Sequence, residues 1–205
     1  MVTDKSLRYY GKIYHLFVDP LLNEARANII NFIPENSTVF DAGCGTGRLS
    51  LLLKEKKNCK VVGADLSLKM IDYANKSNRH NDVEFLHMDI GDIAAYEENH
   101  FDYSIMCQII HELTSNEQIN IIKEIMRVGR KTIILDSNTP LPKNPVGFVI
   151  RMIEATIGRD HNDNFRSYIS SGGIIGILER LGLTSQITRR IVFKSNCQQM
   201  VVLAS

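Results

Sequence analysis

The sequence predicts an α/β protein with a doubly wound, mostly parallel, seven-stranded sheet that carries helices on both faces and ends in an antiparallel hairpin. Three observations predict this fold. Short apolar segments alternate with longer segments of helical period, a glycine-rich loop follows the first short segment, and the last two short segments flank a tight turn. Strands that alternate with helices form crossover units, which build parallel sheets covered on both faces.

The length and composition fit one globular domain over residues 1–205. Of these residues, 44% are hydrophobic and 23% are charged, close to the averages for a soluble protein. The 24 Lys and Arg residues nearly balance the 23 Asp and Glu residues, so a net charge of +1 provides no field that would hold a polyanion. We therefore expect no nucleic-acid partner.

The sequence predicts a cytoplasmic location and no membrane span. The N-terminal segment is charged where an export signal needs an apolar stretch, and no segment approaches the roughly 18 apolar residues of a membrane helix. The cysteines are far apart, with no CxxC pair and no histidine at zinc-finger spacing, which is typical of reduced thiols. They are Cys44, Cys59, Cys107 and Cys197.

Residues 1–36 have apolar residues at three- and four-residue intervals, which is a helical period. The pattern predicts two helices that break near Asp19-Pro20 and form a helical cap. Residues 37–137 then alternate between strands and helices. β-branched and aromatic residues predict strands at 38–40, 60–63, 83–86, 103–106 and 132–135.

Capping residues mark the helices between these strands. Ser67 is expected to cap one helix, and Ser115-x-x-Gln118 has the pattern of a capping box at the start of another that ends at Gly129. Residues 138–170 form an insertion with a helix over 144–158. Residues 171–205 add a helix over 170–181 that ends at Gly182, then two strands on either side of a turn at 194–196.

A glycine-rich loop joins the first strand to the next helix. Residues 39–47 read Val-Phe-Asp-Ala-Gly-Cys-Gly-Thr-Gly. Glycines let the backbone approach a ligand closely, and the first amides of the following helix point at an anionic group. The dinucleotide fingerprint needs a third glycine where Arg48 stands, and the sequence has no Gly-Lys-Ser/Thr of a P-loop, so neither phosphate-binding pattern is met.

Three acids, Asp41, Asp65 and Asp89, are equally spaced and lie at the ends of three successive strands. The carboxyl ends of parallel strands share the edge at which open α/β sheets bind ligands. A carboxylate after the second strand can accept hydrogen bonds from ribose hydroxyls, and one after the third can accept from an adenine amino group. The three acids therefore predict a nucleoside pocket.

These motifs resemble those of class I S-adenosylmethionine-dependent methyltransferases, which have a Rossmann-like fold. The matching segments are 41–47 (Asp-Ala-Gly-Cys-Gly-Thr-Gly), 63–67 (Gly-Ala-Asp-Leu-Ser), 88–90 (Met-Asp-Ile), 101–103 (Phe-Asp-Tyr) and 111–113 (His-Glu-Leu). In particular, the chain resembles the small-molecule group that includes the ubiquinone and menaquinone biosynthesis methyltransferases. The resemblance covers residues 39–137, and the terminal hairpin agrees with the reversed last strand of that fold.

The resemblance implies that S-adenosylmethionine binds at the matching positions. Residues 43–45 would contact its methionine part above Asp41, which steadies the loop, while Asp65 holds the ribose. Residues 89–90 would complete an adenine pocket, and Cys107 would lie near the sulfonium through its backbone. The implied cofactor residues are Tyr14, Asp41, Gly43, Cys44, Gly45, Asp65, Leu66, Met70, Asp89, Ile90 and Cys107.

Methyl transfer from a sulfonium depends mainly on positioning, since an in-line arrangement can supply roughly 7–11 kcal/mol. A general base is needed only if the acceptor arrives protonated. His111 is the candidate because it follows the fourth strand at the ligand edge, with His15 and His161 as alternatives. No metal is expected, because Cys107 stands where metal-dependent catechol-type enzymes have an acid, although Asp136 and Asn138 follow the fifth strand.

We therefore predict methyl transfer to a small, partly apolar acceptor, by a monomer or homodimer. Residues 1–35 and 138–170 would build the acceptor chamber, with walls formed by Phe17, Leu21, Phe148, Met152 and Ile153. The segment 107–110 lacks the Asn/Asp-Pro-Pro-aromatic motif of nucleic-acid and glutamine amino-methylating enzymes. Two alternatives stay open: a non-catalytic S-adenosylmethionine-binding scaffold or subunit of a modifying complex, and a nicotinamide-dependent reductase.

Overall fold

The structure, a computed structural model, describes residues 19–193 and 195–204. Its helices are α1 (Asp19–Phe32), α2 (Arg48–Lys57), α3 (Leu68–Ser77), α4 (Ser115–Val128), α5 (Pro145–Ile157), α6 (Arg159–Ser170) and α7 (Gly173–Arg180). Short 3-10 helices cover Ile90–Ala95, Ile110–Glu112 and Thr184–Gln186. The strands are β1 (Thr38–Ala42), β2 (Lys60–Asp65), β3 (Val83–His87), β4 (Phe101–Cys107), β5 (Gly129–Ser137), β6 (Ile187–Val192) and β7 (Gln198–Ala204).

These strands form one seven-stranded sheet in the order β3-β2-β1-β4-β5-β7-β6. Strands β1 to β5 pair in parallel, whereas β7 pairs antiparallel with both β5 and β6. The predicted fold class is confirmed, including the closing hairpin. The strand order reverses between β1 and β4, so the crevice outside the carboxyl ends of these two strands is the ligand position of this topology.

Apolar side chains pack on both faces of the sheet. Along β5, Ile133 and Leu135 belong to the core on one face and Ile134 to the core on the other, because successive side chains of a strand point to opposite sides. The first face is covered by α1, α2 and α3, and the second by α4 and α7. This two-sided burial explains why the strands read as continuous apolar segments rather than as alternating ones.

Most of the predicted helix boundaries are confirmed. The Ser67 hydroxyl accepts a hydrogen bond from the Met70 amide at the start of α3, and Gly129 follows the last residue of α4, as predicted. The predicted Ser115-x-x-Gln118 capping box is wrong by one residue. Thr114 is the cap of α4, and its backbone amide donates to Glu117, which completes the box.

The C-terminal third differs more from the predictions. Helix α5 lies within the predicted 144–158, but α6 was not predicted, because its apolar stripe consists of few residues, with Phe165 and Tyr168 buried in a polar helix. The helix predicted over 170–181 begins only at Gly173. Gly172 and Gly173 both have positive φ, 90° and 61°, which interrupts the helical path after Ser170.

Five sequence predictions fall outside what the structure describes. Tyr14, His15 and the first predicted helix belong to residues 1–18, as does Phe17, and the side chain of Leu21 is likewise outside the described part. Within residues 19–193 and 195–204, no helix combines the length and the apolar character needed to cross a bilayer.

Candidate cofactor and acceptor site

The loop after β1 forms a cradle that is closed on one side and open on the other. Gly43 and Gly45 have φ of 66° and 54°, a left-handed conformation that favours glycine. A Cβ on Gly43 would lie 1.7 Å from Cδ1 of Ile109, whereas a Cβ on Gly45 would meet nothing within 4 Å. Gly43 therefore allows close packing against the segment after β4, and Gly45 borders open space of the kind that a ligand can fill.

Asp41 lies beneath this loop and not in the open space. Its side chain is buried, and Oδ2 accepts a hydrogen bond from the Ser50 hydroxyl in α2 at 2.6 Å. Burial raises the pKa of Asp41 to about 6, while the Ser50 hydrogen bond opposes that rise. This arrangement joins the end of β1 to the first turn of α2, which supports the steadying role that the sequence suggested.

Asp65, at the end of β2, connects the glycine loop to the start of α3. Its Oδ2 accepts from the backbone amide of Gly45 at 2.9 Å, and its Oδ1 accepts from the amide of Ser67 at 2.8 Å. Each carboxylate oxygen can accept a second hydrogen bond, so the group can hold the loop and still receive hydroxyl donors. Asp65 is half-buried, with the side chain at the edge of the open cradle.

Apolar side chains stand exposed beside Asp65. Leu66 is 69% exposed and Met70 is 41% exposed, and they are joined at the surface by Leu68 and Tyr73. Large apolar residues that cluster at a surface mark binding sites more often than isolated ones do. Leu66 and Met70 thus lie where an adenine ring would need an apolar wall.

Asp89 and Ile90 follow β3 at the same edge of the sheet. The Asp89 carboxylate caps the 3-10 helix Ile90–Ala95 by accepting from the Gly91 amide at 2.9 Å, and Ile90 is buried. The register pairs Asp65 with His87, which places the residues after β3 next to the end of β2. Asp89 has a second oxygen that this cap does not use.

The segment after β4 faces the cradle from the other side of the switch point. Burial raises the pKa of the Cys107 thiol to about 12, so the thiol is neutral. The next residue, Gln108, has a φ of 61°, and its side-chain Nε2 is buried without a hydrogen-bond partner. Gln108 was missed by the sequence reasoning, since no spacing or motif separates it from an ordinary loop residue.

His111 lies in a buried polar cluster behind this segment. Its Nδ1 is 2.6 Å from Oδ1 of Asp136 in β5, and its Nε2 is 3.7 Å from Oε2 of Glu154 in α5. The same Glu154 oxygen is 2.5 Å from Nε2 of His161 in α6. Burial opposes the charge on His111, but Asp136 and then Glu154 outweigh it and raise its pKa to about 9.

The cluster joins residues that sequence reasoning treated separately. His111 and His161 were considered as alternative bases, Asp136 as a member of an incomplete metal set, and Glu154 was missed. The aromatic rings of Phe165 and Tyr168 pack against the His111 ring at centroid distances of 5.6 and 6.3 Å. The apolar face and the carboxylates together hold the imidazole of His111 in one orientation.

Within the described part of the chain, the predicted cofactor positions lie near the carboxyl ends of β1 to β4. Two depressions of the surface lie elsewhere, beside the amino ends of the strands, and contain none of the predicted cofactor residues or candidate bases. The fold is of the doubly wound α/β class, and its switch-point crevice has an open glycine loop, a carboxylate after β2 and an apolar wall, which are features that a nucleoside would need.

Comparison with known proteins finds a methyltransferase domain in the core of the chain. Residues 39–132 match the methyltransferase domain family. YqeM of Bacillus subtilis, which carries a methyltransferase name, is 33% identical over 105 residues, covering 50% of this chain and 42% of YqeM. These matches support a class I S-adenosylmethionine-dependent methyltransferase.

Two further relatives act on different kinds of acceptor, according to their names. The ribosomal protein L11 methyltransferase of Thermotoga maritima is 26% identical over 51% of this chain and 37% of its own length. The juvenile hormone acid O-methyltransferase of Bombyx mori is 29% identical over 58% of this chain and 45% of its own length. The chain thus spans less than half the length of the curated relatives that it matches.

A solved structure shows the same fold over almost the whole chain. The magnesium protoporphyrin IX methyltransferase of Synechocystis, crystallised with S-adenosylmethionine, has a TM-score of 0.64 and is 18% identical, covering 98% of this chain and 90% of that one. A methyltransferase of Aquifex aeolicus has a TM-score of 0.61 at 19% identity, covering 99% and 98%.

Proposed function

We propose that the protein transfers a methyl group from S-adenosylmethionine to a small-molecule acceptor. The observation that carries this proposal is the contact between the Gly45 amide and Asp65 at the edge of open space. This contact fixes a side-chain-free stretch of backbone next to a carboxylate with free hydrogen-bonding capacity. That combination suits a ligand with a methionine part and a ribose, which is the cofactor of the family.

Residues of the chain would supply the contacts to the cofactor. Backbone groups of residues 43–45 would hold its methionine part, and Asp65 would accept hydrogen bonds from its ribose hydroxyls. Leu66 and Met70 offer exposed apolar surface to the adenine, and Asp89 with Ile90 would close that pocket. The Cys107 thiol is uncharged at neutral pH, so Cys107 would act through its backbone at the end of β4.

The cofactor supplies a methyl group on a positively charged sulfur, and transfer forms a bond from the acceptor to the methyl carbon as the sulfur–carbon bond breaks and leaves its electron pair on sulfur. The protein has to bring the acceptor into line and exclude water, which can account for roughly 7–11 kcal/mol of the barrier. His111 is the catalytic candidate, since it follows β4 by four residues and is held by Asp136.

Helices α5 and α6 support a small acceptor with an apolar body. Helix α5 carries Phe148 and Met152, which are 62% and 51% exposed, and the two helices supply Glu154 and His161 to the polar cluster around His111. An acceptor that presents an oxygen to the cluster and an apolar body to these side chains would use both features. The name of the Bombyx mori relative, a juvenile hormone acid O-methyltransferase, describes an acid methylated on oxygen.

Thermal unfolding with and without S-adenosylhomocysteine tests the cofactor site, with NADH as the control ligand. A hundredfold excess over Kd stabilises a protein by about 2.7 kcal/mol, and each kcal/mol shifts Tm by roughly 2–4 °C at this chain length. We expect a shift with S-adenosylhomocysteine alone that is lost in Asp65→Ala and kept in Asp82→Ala. Asp82 is the matched control because it is a surface carboxylate at the opposite edge, bound to Lys54.

A screen with methyl-labelled cofactor then tests the transfer itself, with apolar carboxylic acids and phenols as acceptors. Labelled product that depends on Asp65 would support the full proposal. A cofactor-induced shift without labelled product from small molecules or proteins would favour a cofactor-binding scaffold. A shift with NADH alone would contradict the proposal and favour a nicotinamide-dependent reductase.

A further inference from the structure

The buried cluster between the end of β4 and helices α5 and α6 contains the donor set of a transition-metal site. We propose that His111, Glu154 and His161 bind one first-row divalent transition-metal ion, such as Zn²⁺. The proposal goes beyond the methyl-transfer function, because the metal-binding claim depends only on the side chains of this cluster.

The donor atoms are already gathered. One ligand atom from each of the three residues lies within 4.8 Å of the other two. The Glu154 oxygen is 3.7 Å from His111 Nε2 and 2.5 Å from His161 Nε2. Zinc bonds to nitrogen and oxygen are about 2.0–2.2 Å long, so neighbouring ligand atoms in a tetrahedral site lie roughly 3.3 Å apart. A shift of about 1 Å in the Glu154 carboxylate would even out the two distances to this value.

The Asp136 carboxylate orients His111, which is one of the three proposed ligands. Asp136 is fully buried, and its Oδ1 lies 2.6 Å from His111 Nδ1. When a metal replaces the proton on Nε2 of His111, Asp136 keeps the proton on Nδ1, and the Nε2 lone pair then binds the metal. Histidines that bind metals commonly donate their second N–H to a carboxylate in this way, which fixes the tautomer and the ring orientation.

The chemistry of the donor set selects the class of metal. Two imidazoles and one carboxylate suit zinc and neighbouring transition metals, whereas Mg²⁺ and Ca²⁺ prefer sets of oxygen ligands. Two histidines and a glutamate are also the protein ligands of known catalytic zinc sites, which keep a further position open. Here the side chains of Glu154 and His161 are each 13% exposed, against 5% for His111, so the open position would face the α5 and α6 side.

The location gives the metal a role on the acceptor side. Its ligands come from the segment after β4 and from two helices of the insertion, and Ile109 in the same segment contacts the glycine loop. A metal there would bind an oxygen of the acceptor in place of that oxygen's proton and would fasten α5 and α6 to the sheet edge. This role rests on the proposed function, but the binding of the metal does not.

Titration of the full chain with Co²⁺ and Zn²⁺ tests the proposal. Protein freed of metal by dialysis against a chelator should take up about one Co²⁺ per chain, with visible d–d absorption, and Zn²⁺ should displace it. His161→Gln and Glu154→Gln should each weaken binding at least tenfold. Asp136→Asn should weaken it by about 10–100-fold, as expected for a residue that orients a ligand.

His100→Gln is the matched control, because His100 is an exposed histidine far from the cluster in the fold and should bind Co²⁺ like the unchanged chain. Circular dichroism verifies that each variant is folded. Glu154 and His161 belong to different helices, so if one of the two variants fails to fold, the other still tests the proposal. Failure of the unchanged chain to bind Co²⁺, or equal binding by every folded variant, would overturn the proposal.

A parallel measurement keeps this outcome separate from that of the proposed function. Stabilisation by S-adenosylhomocysteine should be the same before and after metal removal, because none of the three ligands belongs to the cofactor cradle. If methyl transfer is found, chelation should lower turnover and Zn²⁺ or Co²⁺ should restore it, while cofactor affinity stays constant. If the protein binds the metal but transfers no methyl group, the proposed metal site stands and only its role in the reaction is refuted.

Discussion

Gly43 and Gly45 have similar backbone angles, but their surroundings predict opposite results for alanine substitutions. Gly45→Ala would place its Cβ in open space, so we expect a loss of only about 1–2 kcal/mol in stability from the left-handed backbone. The same Cβ would occupy the cofactor cradle, and stabilisation by S-adenosylhomocysteine should disappear. Gly43→Ala should instead destabilise the fold more strongly, because its Cβ would overlap the Ile109 side chain. Thermal unfolding of both variants with and without S-adenosylhomocysteine measures their stability and their response to the ligand. A full ligand-induced shift of Tm in Gly45→Ala would disprove that this glycine borders the cofactor.

Asp41 should make the stability of the protein depend on pH. Its pKa is about 6 in the folded chain against an ordinary value of 3.8, mainly because of burial. Between these values the folded state binds more protons than the unfolded state, so the free energy of unfolding falls as pH rises from 4 to 6. The shift corresponds to a loss of about 3 kcal/mol above pH 6.

Asp41→Asn keeps the acceptor for the Ser50 hydroxyl and removes the ionisable group. Relative to this variant, the unchanged protein should gain stability as the pH is lowered from 7 to 4.5. Urea unfolding of both proteins at these two pH values measures the difference. Parallel pH profiles for the two proteins would show that Asp41 ionises at its ordinary pKa.

At the scale of whole elements, Asp102 joins the first residues of β4 and β1. Its Oδ2 accepts from both the backbone amide and the hydroxyl of Thr38, each at 2.9 Å, and the Thr38 hydroxyl accepts from the Asp102 amide at 3.0 Å. Because hydrogen bonds to a charged group contribute about 1.5–3 kcal/mol, Asp102→Ala should lower the free energy of unfolding by a similar amount.

The same variant should leave the cofactor site intact, since Asp102 lies at the amino ends of the strands. Chemical unfolding gives its stability, and calorimetric titration with S-adenosylhomocysteine gives its affinity, which should equal that of the unchanged protein. A parallel loss of affinity would show that the two edges of the sheet are coupled through β1 and β4.

Sequence patterns predicted the elements of the core better than those of the insertion. The strands and the helices between them have regular apolar periods and clear caps, such as Ser67 and Gly129, so local preference and burial agree. Helix α6 lacks this agreement, because it buries little apolar surface and is attached through contacts such as the Tyr168 hydroxyl with the Ser137 carbonyl at 2.8 Å. Contacts of that kind are visible only once the chain is folded.

The sequence predicted those residues of the candidate site that lie at the ends of strands. Asp41, Asp65 and Asp89 lie at one edge because parallel strands end there, and the sequence contains that information. The cluster of His111 with Glu154 and His161 depends instead on how α5 and α6 fold back over β4 and β5. Since the spacing of these three residues matches no local metal motif, the sequence could suggest the histidines but not their partner.

For the molecule as a whole, the balance of charge predicts an absence of nucleic-acid binding. The net charge is +1, and part of the basic group at 127–131 is engaged internally, as Arg127 donates to the carbonyl of Tyr96 and contacts Glu124. We expect no binding of labelled single-stranded RNA at physiological salt, where even non-specific binders have Kd values of about 10⁻⁴–10⁻⁶ M. Fluorescence anisotropy tests this, and binding that weakens steeply with added salt would reveal a basic patch.

The position of β7 has a consequence for how the protein folds. Strand β7 lies between β5 and β6, and β6 pairs only with β7 in the described part of the chain. Until residues 198–204 have been synthesised, one edge of β5 therefore has unpaired backbone groups beside its apolar segment 133–135, which is a template for aggregation. This edge stays uncovered longest during synthesis, because the strand that pairs with it is made last among the described strands of the sheet.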